Sequence, residues 1–197
     1  MMRFPQTLRR KVAAFHEDES GNGAVELLLM VPVLSLITFG LITYFSAYQA
    51  KTHATRAATV IADMISRETN PITPNYMTGV SGLLDTMIRS DDDPQYRLTA
   101  FTWNRRSEDY RVRWSKNDGD QGTLTREKLN LVADRLPELK HGQRAILVET
   151  WVDFDAMSNV GMDGTTTFEN FLVAAPRFVP QLCWSTDENA DRTEARC

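Results

Sequence analysis

The chain has 197 residues, only three histidines and two cysteines, and a formal net charge of −4. This length supports one ordinary domain with room for a further segment. The net negative charge argues against a nucleic-acid partner, and two cysteines are too few for a disulfide-rich scaffold.

An uncharged apolar segment, residues 27–48, is the first predicted element. About 20 apolar residues are enough for a helix to cross the hydrocarbon core of a bilayer, so we predict a transmembrane helix over residues 22–50. The apolar region of a secretory signal peptide is usually shorter, about 7–15 residues. Cleavage after Ala50, with Ala47 as the second small residue, remains an alternative.

The flanks of this segment predict its orientation. Cytoplasmic sequences next to a membrane helix carry an excess of Lys and Arg, and residues 1–21 form the basic flank. They include Arg3, Arg9, Arg10 and Lys11. We therefore expect a cytoplasmic leader over residues 1–21, an exported domain over residues 51–185, and a flexible polar tail over residues 186–197.

One carboxylate, Glu26, stands at the start of the apolar segment, five positions after Gly21. A charged side chain costs about 2.5–3.5 kcal/mol at the centre of a membrane helix and less near the interface. Glu26 either has a partner of opposite charge or reaches the water at the headgroup level, and the sequence leaves both open. Pro32 lies within the same helix, where it removes one backbone hydrogen bond.

Helical periodicity continues beyond the apolar segment. The apolar positions are Ala54, Ala57, Ala58, Ile61, Met64 and Ile65. We predict one continuous helix from about Ala24 to Glu68, ended by Pro71. Thr73 and Pro74 then mark the cap and first position of a second helix.

The remaining pattern is mostly that of strands. Residues 96–103 and 110–115 predict a β-hairpin, because apolar and polar side chains alternate in its second strand. A short amphipathic helix over residues 129–136 follows, and then two strands over residues 144–154 and 168–178. This order predicts an α+β fold with an antiparallel sheet and short helices beyond the long N-terminal helix.

The sequence indicates no catalytic residue, no metal site and no cofactor, since it lacks a nucleophile elbow, a phosphate loop and paired metal ligands. A group of polar residues in and beside the last loop fits no standard calcium loop. Its members are Asp153, Asp155, Asn159 and Asp163. Cys183 and Cys197 could close a small disulfide loop, with a free terminal Cys197 as the alternative. Four arginines near aromatic residues in the hairpin leave nucleic-acid binding as a minor alternative.

The segment Ser20-Gly21-Asn22-Gly23-Ala24-Val25-Glu26-Leu27-Leu28-Leu29-Met30-Val31-Pro32-Val33-Leu34 resembles the N-terminus of TadE-like pseudopilins of the bacterial tight-adherence (Flp-type) pilus machinery. The resemblance extends over about residues 20–65. It departs from the family at Leu27, where an aromatic residue is common, and in the acidic residues just before Gly21.

The resemblance implies a processing site and a packing residue. In type IV prepilins an inner-membrane prepilin peptidase cuts after a glycine and leaves a glutamate at mature position five. A cut between Gly21 and Asn22 gives Glu26 that position. In this family the glutamate pairs with the terminal amine of a neighbouring subunit, so Glu26 and Pro32 are the expected subunit-contact and register residues.

Two functions follow from these observations. In the first, the chain is a minor pseudopilin in the bacterial inner membrane, with a periplasmic C-terminal domain. Its partners are membrane lipid, the prepilin peptidase and other pilins of the Tad machinery, and not nucleic acid. In the second, it is an uncleaved membrane-anchored periplasmic protein with a binding or sensing domain.

Overall fold

The computed structural model describes residue 10 and residues 22–88, 93–156, 161–162, 164–191 and 193–197. Three α-helices, one 3-10 turn and four strands are formed within these ranges. In chain order they are α1 (Asn22–Arg67), α2 (Pro74–Ile88), β1 (Gln95–Asn104), β2 (Asp109–Asp118), α3 (Arg126–Leu131), the 3-10 turn (Ala133–Arg135), β3 (Arg144–Asp155) and β4 (Thr165–Ala174). The predicted α+β fold with an antiparallel sheet is confirmed.

The four strands form one sheet in the order β2-β1-β3-β4, with every neighbouring pair antiparallel. The register between β1 and β2 shifts once, next to Ala100 and Phe101. An extra residue at such a point is a β-bulge, which bends the strand and increases its twist.

Side chains on the two faces of the sheet form two separate cores. On one face α1 and α2 pack against the sheet through Ile61, Ile65, Leu84, Leu98 and Val148, which are all fully buried. The opposite face is covered by α3 and the 3-10 turn, whose apolar residues pack on β1, β2 and β3. The C-terminal half of α1 is therefore part of the domain core.

The long helix runs one residue short of the predicted end, and α2 begins at the predicted Pro74, with the Thr73 hydroxyl accepting a hydrogen bond from the Tyr76 N–H at 3.3 Å. The predicted hairpin is β1 and β2. The single helix predicted over residues 129–136 is wrong, because the α-helical conformation ends at Leu131. Val132 adopts φ −110° and ψ 23°, and a 3-10 turn follows.

The last strand is displaced from its predicted limits. β4 begins at Thr165 because the Thr165 hydroxyl donates to Asp155 of β3 at 2.5 Å, and Thr167 donates to Asp153 at 2.5 Å. It ends at Ala174, before Pro176, which has no N–H to continue a ladder.

The C-terminal residues are held to the domain at two points. Trp184 and Arg196 exchange backbone hydrogen bonds of 2.8 and 2.7 Å. Cys183 and Cys197 form a disulfide bond. The polar composition of residues 186–197 predicts a flexible tail. Composition alone gives no signal for these long-range contacts.

Candidate membrane anchor and assembly surface

The first half of α1 carries nearly all of the exposed large apolar side chains in the described part of the chain. They include Leu27, Leu28, Leu29, Leu34, Leu36, Ile37, Phe39 and Leu41, each 54% exposed or more. Outside α1, only Leu131 and Phe178 are comparable among the described residues. A contiguous apolar surface of this kind marks contact with lipid or with other apolar surfaces. The structure thus has one helix, within its described residues, that is long and apolar enough to cross a membrane.

Burial against the domain begins at Thr43, which is 1% exposed, and continues at Ala47 and Ala54. The uncovered part of α1 therefore extends from Gly23 to Ile42. At 1.5 Å per residue this part is about 30 Å long, which equals the thickness of a typical hydrocarbon core. The freely projecting segment is shorter than the predicted transmembrane range of residues 22–50.

The hydroxyl groups inside the projecting segment are satisfied within the helix. Ser35 Oγ donates to the Val31 carbonyl at 2.7 Å, and Thr38 Oγ1 donates to the Leu34 carbonyl at 2.7 Å. Unsatisfied polar groups are costly in hydrocarbon, so these internal bonds make the segment compatible with lipid. Pro32 lies in the same segment without ending the helix, although its ring removes the donor for the Leu28 carbonyl.

Glu26 lies in the second turn of α1 and is exposed. Among the described residues it forms no ion pair. Asn22 is the first described residue of α1, and Gly21 lies outside the described residues.

Aromatic side chains mark the point where the helix reaches the domain. Tyr44, Phe45 and Tyr48 are 57%, 64% and 70% exposed. Tyrosines are enriched at membrane–water interfaces, where their polar and apolar parts are both satisfied. The Tyr44 hydroxyl also donates a hydrogen bond of 3.0 Å to the Gly161 carbonyl, which ties the connection between β3 and β4 to this level of α1.

Gly161 is suited to this contact by its lack of a side chain. Its φ is +85°, a conformation that favours glycine, and a Cβ atom there would lie 3.0 Å from Tyr44 Cε2. Any other residue would therefore strain the backbone and crowd the tyrosine ring.

Further contacts join α1 to β4 and to Arg177, which follows β4, at increasing distance from the projecting segment. Thr55 Oγ1 donates to Asn170 Oδ1 at 2.9 Å, and the Arg177 N–H donates to the Ser66 carbonyl at 2.8 Å. Arg177 also forms an ion pair of 3.1 Å with Asp63. β4 therefore rises alongside α1, and the orientation of the domain relative to the helix axis is fixed at several levels.

A buried ion pair that the strand pattern does not predict joins β1 to β3. Arg97 donates to Glu149 through Nε at 2.7 Å and Nη2 at 2.8 Å, and the two residues are only 7% and 4% exposed. Arg97 Nη1 also donates to the carbonyls of Gln121 and Gly122. Arg97 and Glu149 face each other across the two strands, but an alternating strand pattern gives no register between strands distant in sequence.

The aromatic residues of the hairpin are used inside the domain. Tyr110 and Trp114 are 5% and 4% exposed, and the ring centroids of Trp103 and Tyr110 are 4.7 Å apart. Buried rings are not available to stack on nucleic-acid bases. The pKa of Asp109 is lowered by hydrogen bonds from the Ser107 hydroxyl and from Arg126. Asp109 also forms an ion pair of 3.7 Å with Arg111 of β2, so one arginine of the hairpin has a counter-charge beside it.

The two described aspartates beside the last loop already accept hydrogen bonds. Asp153 and Asp155 accept hydrogen bonds from the β4 threonines, whereas Asn159 and Asp163 lie outside the described residues. Within the described ranges, no group of three or more metal-ligating side chains is assembled.

Comparison with models of known protein families gives a match near the N-terminus. Residues 21–63 match the model of a family described as TadE-like protein. No curated protein and no solved structure matches the chain. The expected resemblance to TadE-like proteins is confirmed over these residues, and it links the chain to Tad pilus systems. The matched segment contains the projecting part of α1 and the start of its buried part.

Proposed function

We propose that this protein is a minor pseudopilin of a Tad-type pilus system, held in the bacterial inner membrane by α1 with its C-terminal domain in the periplasm. The observation that carries the proposal is the uncovered apolar half of α1, which lies within the TadE-like match. An apolar helix surface without partners in its own chain is suited to lipid and to the helices of other subunits. The function involves assembly and no catalysis.

Processing by the prepilin peptidase would give Glu26 its partner. A cut after Gly21 makes Asn22 the first residue, and its new α-amino group carries a positive charge. An opposite charge within about 4–6 Å favours the ionised form of a carboxylate. We propose that Glu26 pairs with the amino group of a neighbouring subunit, which offsets the cost of placing a carboxylate in the membrane and fixes the register between the helices.

Pro32 has a separate role in this proposal. The Leu28 carbonyl lacks the backbone donor that Pro32 would otherwise supply, and loss of this bond makes the helix easier to bend. We propose that this flexible point lets the projecting segment adjust to the helices of neighbouring subunits. A Pro32→Ala variant should insert into the membrane normally but assemble less efficiently.

The first experiment determines the N-terminal residue of the membrane-extracted protein, with and without the cognate prepilin peptidase. Asn22 as the peptidase-dependent first residue supports the proposal. An intact Met1 or Met2 favours an uncleaved anchored protein with a periplasmic binding or sensing domain. A start near Lys51 overturns the anchor.

A second experiment tests the carboxylate itself. Glu26→Ala should abolish pilus assembly at normal protein level and membrane insertion, while Glu26→Asp should retain part of it because the charge is kept. Glu138→Ala, which removes an exposed carboxylate from the domain, serves as the matched control. Unchanged piliation in Glu26→Ala would show that the carboxylate has no role in assembly.

A further inference from the structure

A groove of about 580 Å³ lies along α1, directly beyond the aromatic residues that mark the end of the projecting segment. Its lining comes from α1 and from the last turn of α2, which contributes Met87. The α1 residues are Tyr48, Lys51, Thr52, Thr55, Arg56, Thr59 and Val60. Most of the exposed wall is apolar, and no carboxylate takes part in it.

Two cations, Lys51 and Arg56, stand in this apolar groove. Both are exposed, and neither forms an ion pair with any other described residue. The hydroxyls of Thr52 and Thr59 donate to carbonyls of the preceding turn at 2.8 Å each, and that of Thr55 donates to Asn170. The charged donors of the groove are therefore those of Lys51 and Arg56.

The direction of these side chains follows from helix geometry. In an α-helix the Cα–Cβ bonds tilt toward the N-terminus, and long side chains lie over the preceding turn. The N-terminal half of α1 is the projecting apolar segment, so Lys51 and Arg56 lean toward it. Lysine and arginine also keep their stems on apolar surface while their charged ends reach a polar layer.

The distances match the thickness of a headgroup layer. Lys51 follows Tyr48 by three residues, or about 4.5 Å along the helix axis. The polar layer on each side of a hydrocarbon core is about 5–8 Å thick. The uncharged apolar segment of residues 27–48 is about 33 Å long as a helix, and Tyr44, Phe45 and Tyr48 continue its exposed apolar surface. With Tyr48 at the outer boundary of the hydrocarbon core, the ammonium group of Lys51 is at the depth of lipid phosphates, and the side chain of Arg56 extends back toward the same layer.

We propose that this groove binds the phosphate-bearing headgroup of an anionic phospholipid, with Lys51 and Arg56 as the charge partners and Tyr48, Val60 and Met87 as the apolar wall. The proposal rests on the membrane anchor proposed above. It assigns to the domain a preferred lipid at the outer surface of the membrane, in addition to general contact between α1 and acyl chains.

The test uses the full chain in micelles that contain equal amounts of phosphatidylglycerol and phosphatidylcholine. Native mass spectrometry then counts the lipids of each class that remain bound. We expect the unmodified protein to retain phosphatidylglycerol preferentially. Each basic residue near an anionic surface contributes about a fivefold preference, so Lys51→Gln with Arg56→Gln should reduce the preference about 25-fold.

The matched control is Arg105→Gln with Arg106→Gln, which removes two exposed cations from the β1–β2 turn. This variant should keep the preference. Equal retention of both lipids by the unmodified protein would overturn the proposal, and so would an equal loss in the two double variants. Failure of the membrane anchor would be distinguishable from failure of lipid binding, because the chain would then be absent from the membrane fraction.

Discussion

The Arg97–Glu149 pair is the residue-scale feature on which the sheet depends most. Removing one partner of a buried ion pair leaves an uncompensated charge and costs about 3–5 kcal/mol. We expect Glu149→Ala to lower the free energy of unfolding by this amount, as measured by urea denaturation of the full chain in detergent. Glu169→Ala removes an exposed partner of Arg135 at 3.7 Å and should cost about 1 kcal/mol or less. Equal effects in the two variants would contradict the role of burial.

One buried and one partly buried tyrosine, Tyr96 and Tyr76, make the stability of the domain sensitive to alkaline pH. Burial, with a further contribution from the charge of Glu68, raises the pKa of Tyr76 to about 12. Burial also raises the pKa of Tyr96, whose hydroxyl donates to the Met77 carbonyl at 2.6 Å. An unfolded tyrosine ionises near pH 10, so their neutral forms stabilise the folded state. This contribution is complete below pH 10 and is lost as the pH rises above 10; the part from Tyr76 is lost by about pH 12.

The measurement is absorbance of tyrosinate during alkaline titration, together with circular dichroism of the fold. We expect the tyrosinate absorbance of Tyr76 and Tyr96 to rise only as the domain unfolds. Tyr96→Phe should cost about 0.5–1.5 kcal/mol at neutral pH, the net value of one hydrogen bond. It should also reduce the loss of folding stability above pH 10. Full ionisation of all tyrosines with the fold intact would show that burial does not control them.

At the scale of elements, the disulfide joins Cys197 to Cys183, and the segment around Cys183 pairs through its backbone with the connection between α1 and α2. Next to Cys183, the Ile72 N–H donates to the Cys183 carbonyl at 2.8 Å, and the Ser185 N–H donates to the Ile72 carbonyl at 3.0 Å. The bond therefore constrains a segment that pairs with the turn after α1.

Replacing both cysteines by serine should lower the free energy of unfolding by about 2–4 kcal/mol, since a loop of this size loses its constraint in the unfolded state. Hydrogen exchange should accelerate at the amides of Ile72, Trp184 and Arg196, while the amides of β1 and β3 stay protected. Uniform acceleration throughout the sheet would instead mean that the disulfide is required for the whole fold.

The elements differ in how well local sequence predicts them. The long helix and the β1–β2 hairpin follow from periodicity, because their patterns are long and regular. The end of α3 at Leu131 and the limits of β4 depend on neighbours distant in sequence, such as Tyr110, whose backbone N–H and carbonyl bond to the Asn130 side chain at 2.9 and 2.8 Å. Such contacts leave no signal in a single segment.

The candidate site divides in the same way. The roles of Glu26, Gly21 and Pro32 are predictions from their spacing within one segment and from its resemblance to TadE-like pseudopilins. The groove with Lys51 and Arg56 is not predicted in this way, because one of its walls comes from Met87 of α2. Both cations lie on α1, but only the fold shows that an apolar surface stands beside them.

At the scale of the whole molecule, α1 belongs to two environments at once. Its first half has no cover from the domain, while the stretch from Ala54 to Ile65 supplies fully buried side chains to the core. A conventional anchor can be removed without harm to the attached domain, and this helix can be removed only in part. The place where the chain is shortened should therefore decide whether the domain folds.

We expect a chain that starts at Thr43 to fold as a soluble domain with a cooperative thermal transition, because every buried α1 side chain is retained. A chain that starts at Arg67 should aggregate, since loss of Ala54, Ile61 and Ile65 exposes the helix-covered face of the sheet to water. Size-exclusion chromatography and circular dichroism distinguish the two. An unfolded chain from Thr43, beside a stable full-length protein, would mean that the membrane segment itself is needed for folding. In that case α1 would have to enter the bilayer before the sheet could pack on the C-terminal half of the helix.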